Sequence, residues 1–193
     1  MELRCAWVTK DPEYIEYHDK QWGRPVYDPR ELFAKLCLDG QQAGLSWITI
    51  LKRTESYHRA YADFDPVRIA QFDEQDVERL MQDTGIIRNR LKVQSIIKNA
   101  RAYLALEAEG VDFVDYLWGF VGGAPIVNQR QGNGDIPATS AESDAMSKAL
   151  KKRGFTFVGS TICYAFMQAV GMVNDHLVTC PCHAECQQGP ARQ

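Results

Sequence analysis

The stretch Asp39-Gly40-Gln41-Gln42-Ala43-Gly44-Leu45-Ser46-Trp47 separates two segments of helical periodicity and interrupts both of them. It brings a carboxylate, two amides, two glycines, an apolar side chain and an indole into one short run. Binding and catalytic residues concentrate in loops that helices hold in place. Two interpretations follow: a ligand site, or a tight helix–helix corner in which Leu45 and Trp47 belong to the core.

Helical patterns extend on both sides of this stretch. Before it, Asp28-Pro29 predicts a helix start, because Asp favours the N-cap and Pro the first helical position. Residues 122–138 form one non-helical insertion, and strand patterns are nearly absent, so the predicted fold class is all-α. Further helices are predicted over 47–61, after Asp65-Pro66, from Asp73 to a C′ glycine at Gly85, from 90 to Gly110, over 112–121, from a Thr139-x-x-Glu142 capping box to Lys152, and over 160–170.

Composition limits the class of protein. The chain has 193 residues, of which 45% are hydrophobic, and this predicts a single compact domain over residues 1–186 with a disordered tail over 187–193. The net charge of -3 excludes a surface that attracts DNA everywhere, so any nucleic-acid role needs local basic patches. No signal sequence or long apolar run is present, which predicts a soluble cytoplasmic protein with no membrane partner and no disulfide framework.

A basic turn between two predicted helices is a candidate contact for a phosphate backbone. It reads Lys148-x-x-Lys151-Lys152-Arg153-Gly154-Phe155-Thr156-Phe157-Val158-Gly159-Ser160-Thr161. Backbone N–H groups at a helix start hold phosphates, and the upstream cations add attraction. This is the layout of a helix-hairpin-helix. The alternative is a capped helix with a solvated basic end, since cations are favourable there without a ligand.

A second basic segment and a cysteine–histidine set are further candidates. Arg88, Arg90, Lys92, Lys98 and Arg101 form either a patch for DNA or an ordinary exposed helix face, and we favour the exposed face for Lys98 and Arg101.

Cys5 and His18 near one end, with His176 and Cys180 near the other, would make a tetrahedral zinc site that joins the two termini. Three further residues compete as zinc ligands, namely Cys182, His183 and Cys186. The alternative to a zinc site is a set of free thiols in a mobile tail.

Several colinear motifs closely resemble those of the 3-methyladenine DNA glycosylase I family. Besides the opening stretch with its preceding Leu38, they are Cys5-x-Trp7, Tyr14-x-x-Tyr17-His18-Asp19-x-x-Trp22-Gly23, Asp83-x-Gly85-Ile86-Ile87-Arg88, Lys152-Arg153-Gly154-Phe155-x-Phe157-Val158-Gly159 and Asn174-Asp175-His176. The resemblance reaches to about Cys180. It implies a helix-hairpin-helix DNA glycosylase fold with two subdomains around a base pocket.

The resemblance also implies a set of roles. A structural zinc would be held by Cys5, His18, His176 and Cys180, which makes Cys182, His183 and Cys186 bystanders. The protein would act as a monomer that releases 3-methyladenine from alkylated double-stranded DNA. The base pocket would consist of Trp7, Tyr14, Tyr17, Asp39 and Trp47. This chain has Asp39 where the family usually has glutamate, which keeps the charge on a shorter arm.

The expected chemistry follows from the cationic base. The nucleotide must be flipped out of the duplex; Leu45, beside Gly44, is the candidate wedge, and Lys152, Arg153, Gly159 and Ser160 are the candidate backbone contacts. Tyr14 and Trp47 would stack on the base. Asp39 is the candidate catalytic carboxylate, because a fixed negative charge stabilises the cationic sugar that develops.

No lysine nucleophile is positioned in the motifs, so we expect a monofunctional enzyme, and Asp175 is interpreted as structural. The alternatives are a non-catalytic module that binds damaged DNA and a zinc-stapled helical regulator.

Overall fold

The computed structural model describes residues 3–189 and is mostly helical, as the sequence predicts. The helices are α1 (Pro12–Lys20), α2 (Pro29–Gln41), α3 (Trp47–Leu51), α4 (Thr54–Ala60), α5 (Pro66–Ile69), α6 (Glu74–Met81), α7 (Arg90–Ala108), α8 (Phe113–Trp118), α9 (Ala141–Lys152), α10 (Ser160–Ala169) and α11 (Cys182–Glu185). Short 3₁₀ turns occupy Ala62–Phe64, Gly119–Val121 and Asn133–Asp135.

Two short parallel strands anchor the insertion that follows α8. Strand β1 (Ile126–Val127) pairs with β2 (Val173–Asn174), and Ile126 lies opposite Val173. The sequence does not predict these strands, because each is only two residues long. Their pairing holds the insertion against the segment that follows α10.

Helix α2 begins where the sequence predicts. The Asp28 carboxylate accepts a hydrogen bond from the Glu31 N–H at 2.9 Å, and Pro29 occupies the first helical position. The predicted capping box at α9 is displaced by one residue. Ser140, not Thr139, caps this helix, because its hydroxyl accepts from the Ser143 N–H while the Ser143 hydroxyl accepts from the Ser140 N–H.

The opening stretch is more helical than predicted. Helix α2 continues through Asp39 and Gly40 to Gln41, so only residues 42–46 form the loop. Glycine at position 40 lets the helix pass close to the turn before α10, since a Cβ there would lie 3.0 Å from the Phe157 carbonyl oxygen. Gly44 adopts a left-handed φ of 78° in the loop itself.

Two other predicted features are wrong. The helix predicted over 47–61 is divided into α3 and α4, because local side-chain bonds compete with the helical ladder: the Arg53 guanidinium donates to the Thr49 carbonyl and the Thr54 hydroxyl to the Ile50 carbonyl. Gly85 is not the C′ residue of α6, which ends at Met81. A Cβ at Gly85 would lie 2.7 Å from the Ser56 side chain, so close packing accounts for this glycine.

The buried residues form two apolar clusters. The larger one includes fully buried Leu32, Ile96, Trp118 and Phe166 from α2, α7, α8 and α10. The smaller one gathers residues from both ends of the described chain, namely Cys5, Tyr17, Trp22, Ala169, Leu177, Cys180, Cys182 and Cys186. Trp47 packs against both clusters, so the start of α3 lies where they meet.

The end of the described chain is held by hydrogen bonds. The Gln187 side-chain amide donates to the His183 carbonyl at 3.0 Å. The rest of the predicted disordered tail, residues 190–193, lies outside the described residues. Residues 3–189 contain no helix with the length and apolar run that a bilayer crossing requires.

Candidate functional site

One cavity of about 390 Å³ brings together all the residues that the sequence predicts for a base pocket. Helix α1 contributes Tyr14 and Tyr17, the C-terminal part of α2 contributes Asp39, and α3 begins with Trp47. Trp7 joins them from the segment before α1. The other lining residues, which the sequence analysis missed, are Trp22, Lys35, Gln42, Asn133, Ile136, Ala165, Gln168 and Ala169.

The walls of this cavity are packed aromatic rings. The Trp7 ring centroid lies 5.1 Å from that of Tyr14 and 5.0 Å from that of Trp22. The ring centroids of Tyr17 and Trp47 are 5.5 Å apart. Such rings fix one another by edge and offset contacts. Their faces attract flat cationic groups, because the ring quadrupole is negative at the face.

Asp39 is buried at the cavity wall beside one cation. The residue is 2% exposed, and the Lys35 ammonium donates to its Oδ1 at 3.3 Å. Burial raises the pKa of Asp39 to about 6, although Lys35 opposes the rise. Burial also lowers the pKa of Lys35 to about 8, against the attraction of Asp39. Both groups are therefore charged near pH 7.

Three buried polar atoms of the cavity residues lack a hydrogen-bond partner. They are the indole Nε1 atoms of Trp7 and Trp47 and the Oδ2 atom of Asp39, and no other buried side-chain N or O atom within residues 3–189 shares this condition. Buried polar atoms without partners are rare in proteins because each costs free energy. Two donors and one acceptor without partners, all on residues that line the cavity, indicate a place for a polar ligand.

Lys92 supports the loop that follows Asp39. Its ammonium donates to the carbonyls of Gln41 at 2.7 Å and Ala43 at 2.6 Å, and the residue is 6% exposed. The Gln41 amide in turn donates to the Lys92 carbonyl and accepts from the Tyr57 hydroxyl. The interpretation of Lys92 as part of a basic surface patch is wrong, because the side chain is directed into the protein toward this loop.

The other members of that segment have different surroundings. Arg101 donates to the carbonyls of Ala70 and Phe72, and Arg90 pairs with Glu78 at 2.7 Å. Arg88 and Lys98 are exposed on the surface.

The predicted cysteine–histidine set is one compact buried cluster. Ligand atoms of Cys5, His18, His176 and Cys180 all lie within 4.8 Å of one another. The inner nitrogens face sulfur: His176 Nδ1 lies 3.4 Å from the Cys5 Sγ, and His18 Nε2 lies 3.7 Å from the Cys180 Sγ. This donor set is typical of a tetrahedral zinc centre.

The outer nitrogens of both histidines contact oxygen atoms. His18 Nδ1 lies 2.7 Å from an Asp19 carboxylate oxygen, and His176 Nε2 lies 2.8 Å from the Trp22 carbonyl oxygen. Such bonds keep the proton on the outer nitrogen, so that the lone pair of the inner nitrogen is free to bind a metal. A Cβ at Gly23 would lie 2.8 Å from His176 Nε2, so glycine there leaves room for the imidazole. The residues present therefore fit a metal ion.

The competing ligands take other positions. Cys182 lies near His18 and Asp19, in a second possible group that shares His18 with the first. His183 Nε2 instead lies 2.8 Å from the Asn128 carbonyl oxygen, and Cys186 is buried near Gly23. In the described residues neither His183 nor Cys186 belongs to a possible metal-binding group.

The basic turn lies between α9 and α10, and its side chains are partly engaged within the protein. The Arg153 guanidinium donates to Glu109 at 2.7 Å and stacks on the Tyr116 ring. The Ser160 hydroxyl donates to the Asp144 carboxylate at 2.5 Å. Lys152 is exposed, and Gly159 precedes the first turn of α10. Lys152, the exposed Lys148 and Lys151 of α9, and the backbone amides of α10 are thus available to a phosphate.

Comparison with known proteins identifies the family of this chain. A family model described as methyladenine glycosylase matches residues 7–183. The chain belongs to the methyladenine glycosylase family. The protein called DNA-3-methyladenine glycosylase 1 from Escherichia coli (strain K12) is 58% identical over 180 residues, which cover 93% of this chain and 96% of that protein. A DNA-3-methyladenine glycosylase of Haemophilus influenzae is 53% identical, with 94% and 98% covered.

Solved structures of this family have the same fold. A crystal structure of 3-methyladenine DNA glycosylase I matches with a TM-score of 0.93 at 58% identity, covering 94% of this chain and 100% of that one. A Staphylococcus aureus structure concerned with 3-methyladenine recognition matches with a TM-score of 0.88 at 41% identity, covering 92% and 95%. A third is a variant in complex with 3-methyladenine, at 41% identity and a TM-score of 0.88 with 92% and 96% covered.

Against this family background, Asp175 has the contacts of a structural residue. Its carboxylate accepts hydrogen bonds from Asn128, Arg130, Tyr164 and Gln168 and is fully buried. Burial would raise its pKa, but these hydrogen bonds outweigh burial and lower it. Asp175 does not line the cavity, although its partner Gln168 does.

The candidate wedge lies at the edge of the family's opening stretch. Leu45 is 40% exposed, and a Cβ at the neighbouring Gly44 would meet no atom within 4 Å. The tip of the loop is therefore free of packing on its outer side, as a residue that enters a duplex requires.

Proposed function

We propose that this protein hydrolyses the N-glycosidic bond of 3-methyladenine in alkylated double-stranded DNA. The observation that supports this most strongly is the aromatic cavity with three unpartnered buried polar atoms, including an oxygen of Asp39. Its volume of about 390 Å³ exceeds what a single flat purine needs. The relatives named above carry this activity in their names.

The reaction begins with the damaged nucleotide outside the duplex. We propose that Leu45 fills the vacated space and that the α9–α10 turn acts as a helix-hairpin-helix that holds the backbone through Lys152 and the amides after Gly159. Arg153 and Ser160 position that turn through their contacts with Glu109 and Asp144. The flipped base then stacks between the aromatic walls.

The chemistry needs little acid catalysis because the methylated base is already cationic. The bond between C1′ and the base nitrogen breaks, its electron pair moves to the base, and the base leaves neutral. The cationic sugar that remains takes a water molecule and releases a proton. Asp39 stabilises the developing positive charge and pairs with a polar edge of the base. Trp7 and Trp47 offer their indole N–H groups to the base.

Two further parts of the proposal concern structure. Cys5, His18, His176 and Cys180 would hold one zinc ion, and that ion would join the two ends of the chain without entering the reaction. We also propose that the chain acts as a monomer, with residues up to 186 forming one domain whose two halves enclose the pocket.

The test is an assay of free base. Duplex DNA treated with a methylating agent is incubated with stoichiometric protein, and released bases are separated by chromatography. We expect 3-methyladenine to appear and the DNA strand to stay intact until heated in alkali, because the reaction leaves an abasic site. No base release combined with selective binding of methylated DNA would show a non-catalytic damage-binding module instead. Strand cleavage without alkali would contradict the monofunctional mechanism.

A further inference from the structure

A lysine occupies the place where the base is proposed to bind. The Lys35 Nζ lies 3.2 Å from the centroid of the Trp47 ring and 5.2 Å from that of Tyr17. The same atom donates to Asp39 Oδ1 at 3.3 Å. The ammonium therefore contacts both the aromatic wall and the carboxylate that a cationic base would use. A cation of the chain itself thus fills this role.

The burial of Asp39 makes this arrangement incompatible with direct contact between its Oδ1 atom and a base. Asp39 is 2% exposed, and its Oδ1 atom accepts from Lys35. A base that pairs with Oδ1 must first replace the ammonium. A cationic base can do so and leave Asp39 paired, whereas a neutral base would leave a buried carboxylate without a counter-charge, which is costly.

A second cavity offers Lys35 another position. This cavity, of about 610 Å³, shares Tyr17, Lys35 and Ala169 with the first and is also lined by Asp28, Glu31 and Asp63. Glu31 lies one helical turn before Lys35 on α2, and Asp39 lies one turn after it. Side chains four residues apart on a helix are neighbours. Glu31 and Asp39 therefore both neighbour Lys35, one on each side of it along the helix.

The basic residues of the second cavity do not oppose this movement strongly. Arg24 is paired with Glu185 at 2.9 Å, and Arg30 with Asp65 at 3.5 Å. Lys20 lies 3.7 Å from Glu16. These cations are directed to other carboxylates.

We propose that Lys35 is a mobile internal counter-ion of the base site, which pairs with Asp39 when the site is empty and moves toward Glu31 when a cationic base enters. This inference rests on the proposed function for the identity of the base. It adds a positioning role for Lys35: the buried carboxylate is kept paired and charged before the substrate arrives, and the substrate exchanges one cation for another. The alternative is a static structural ion pair, in which Lys35 stays at Asp39 throughout.

Nuclear magnetic resonance of the full chain separates these alternatives. Lysine is labelled with ¹³C at Cε, and the Lys35 signal is assigned with the Lys35→Arg variant. We expect its Hε protons to resonate upfield of those of exposed Lys98, because Lys35 lies over the Trp47 ring. The probe is 3,9-dimethyladeninium, a permanent cation in which a methyl group replaces the sugar, with neutral 9-methyladenine as its matched control.

The expected result is movement of the Lys35 signal toward the Lys98 position on saturation with 3,9-dimethyladeninium, together with a shift of the Trp47 indole signal. Binding reported by Trp47 while Lys35 stays upfield would overturn the inference. So would displacement of Lys35 by 9-methyladenine at equal concentration. No response at either residue would contradict both the inference and the proposed base pocket. Base release from methylated DNA with an immobile Lys35 would overturn the movement of Lys35 and leave the proposed function intact. A mobile Lys35 without base release would support the movement and contradict the proposed function.

The Glu31→Gln variant tests whether the Lys35 ammonium moves to the Glu31 carboxylate. We expect this variant to bind 3,9-dimethyladeninium about twofold to fivefold more weakly, the range of one exposed ion pair. Glu55→Gln is the control, because Glu55 is exposed and pairs with Arg59 at 3.4 Å on the surface. Equal affinity of the Glu31→Gln variant and the control would overturn the movement toward Glu31.

Discussion

Replacing Lys92 by methionine tests how the loop after Asp39 is held. The variant keeps most of the aliphatic stem but removes the ammonium that donates to the Gln41 and Ala43 carbonyls at 2.7 and 2.6 Å. A buried acceptor that loses its donor costs about 1–3 kcal/mol. Gln41 is buried, whereas Ala43 is only partly buried, so its carbonyl can regain part of this cost from water. Burial of the ammonium lowers the pKa of Lys92, and removing the ammonium relieves that burial cost. We expect a net loss of about 1–3 kcal/mol.

The assay is urea unfolding followed by circular dichroism, with Lys98→Met on the same helix as the exposed control. The single-turnover rate of base release, measured where both variants are folded, should fall at least tenfold for Lys92→Met, because the loop carries one edge of the cavity. A loss of unfolding free energy below about 0.5 kcal/mol, the size of an ordinary surface change, would refute the assigned contact.

Three further predictions follow from the same structure. Base release should fall about tenfold between pH 7 and pH 5, because protonation of Asp39, whose pKa is about 6, removes the negative charge; a rate that does not change across this range would contradict the role of the charge. Gly40→Ala should lower the free energy of unfolding by about 1–3 kcal/mol through its contact with Phe157, whereas Gly119→Ala, with open space around it, should be neutral or stabilising in the same urea titration. Purified protein should contain one zinc per chain by elemental mass spectrometry, and Cys180→Ser should lose it with a fall in Tm of about 6–12 °C, taking a loss of about 3 kcal/mol; full stability without metal would exclude a structural ion.

Local signals in the sequence predict the helices well and their irregularities poorly. The start of α2 follows from Asp28 and Pro29, whose effects act within one turn of the chain. The break between α3 and α4 depends on which side chains reach backbone carbonyls, and the pattern of apolar residues does not contain that information. Gly40, in the last turn of α2, packs closely against Phe157, a contact between distant parts of the chain that the local pattern does not contain.

The site shows the same division. Residue types and resemblance identify the aromatic residues and Asp39, because these carry recognisable chemistry. Lys35 was missed since it resembles a polar position in an amphipathic helix; its spacing of four residues from Asp39 would have indicated the pair had α2 been extended to Gln41. Lys92 was assigned to a surface because its partners are backbone carbonyls, which leave no mark in the sequence.

The central claim is that Asp39 is the carboxylate that acts on the base, and one comparison tests it most directly. The single-turnover rate of 3-methyladenine release is measured for Asp39→Asn and Asp175→Asn, each corrected for its folded fraction. We predict that Asp39→Asn loses about 10²-fold or more, the typical effect of removing a group that stabilises the transition state, while folded Asp175→Asn stays within about fivefold of the wild type. A full rate for Asp39→Asn with loss of turnover in Asp175→Asn would contradict this account.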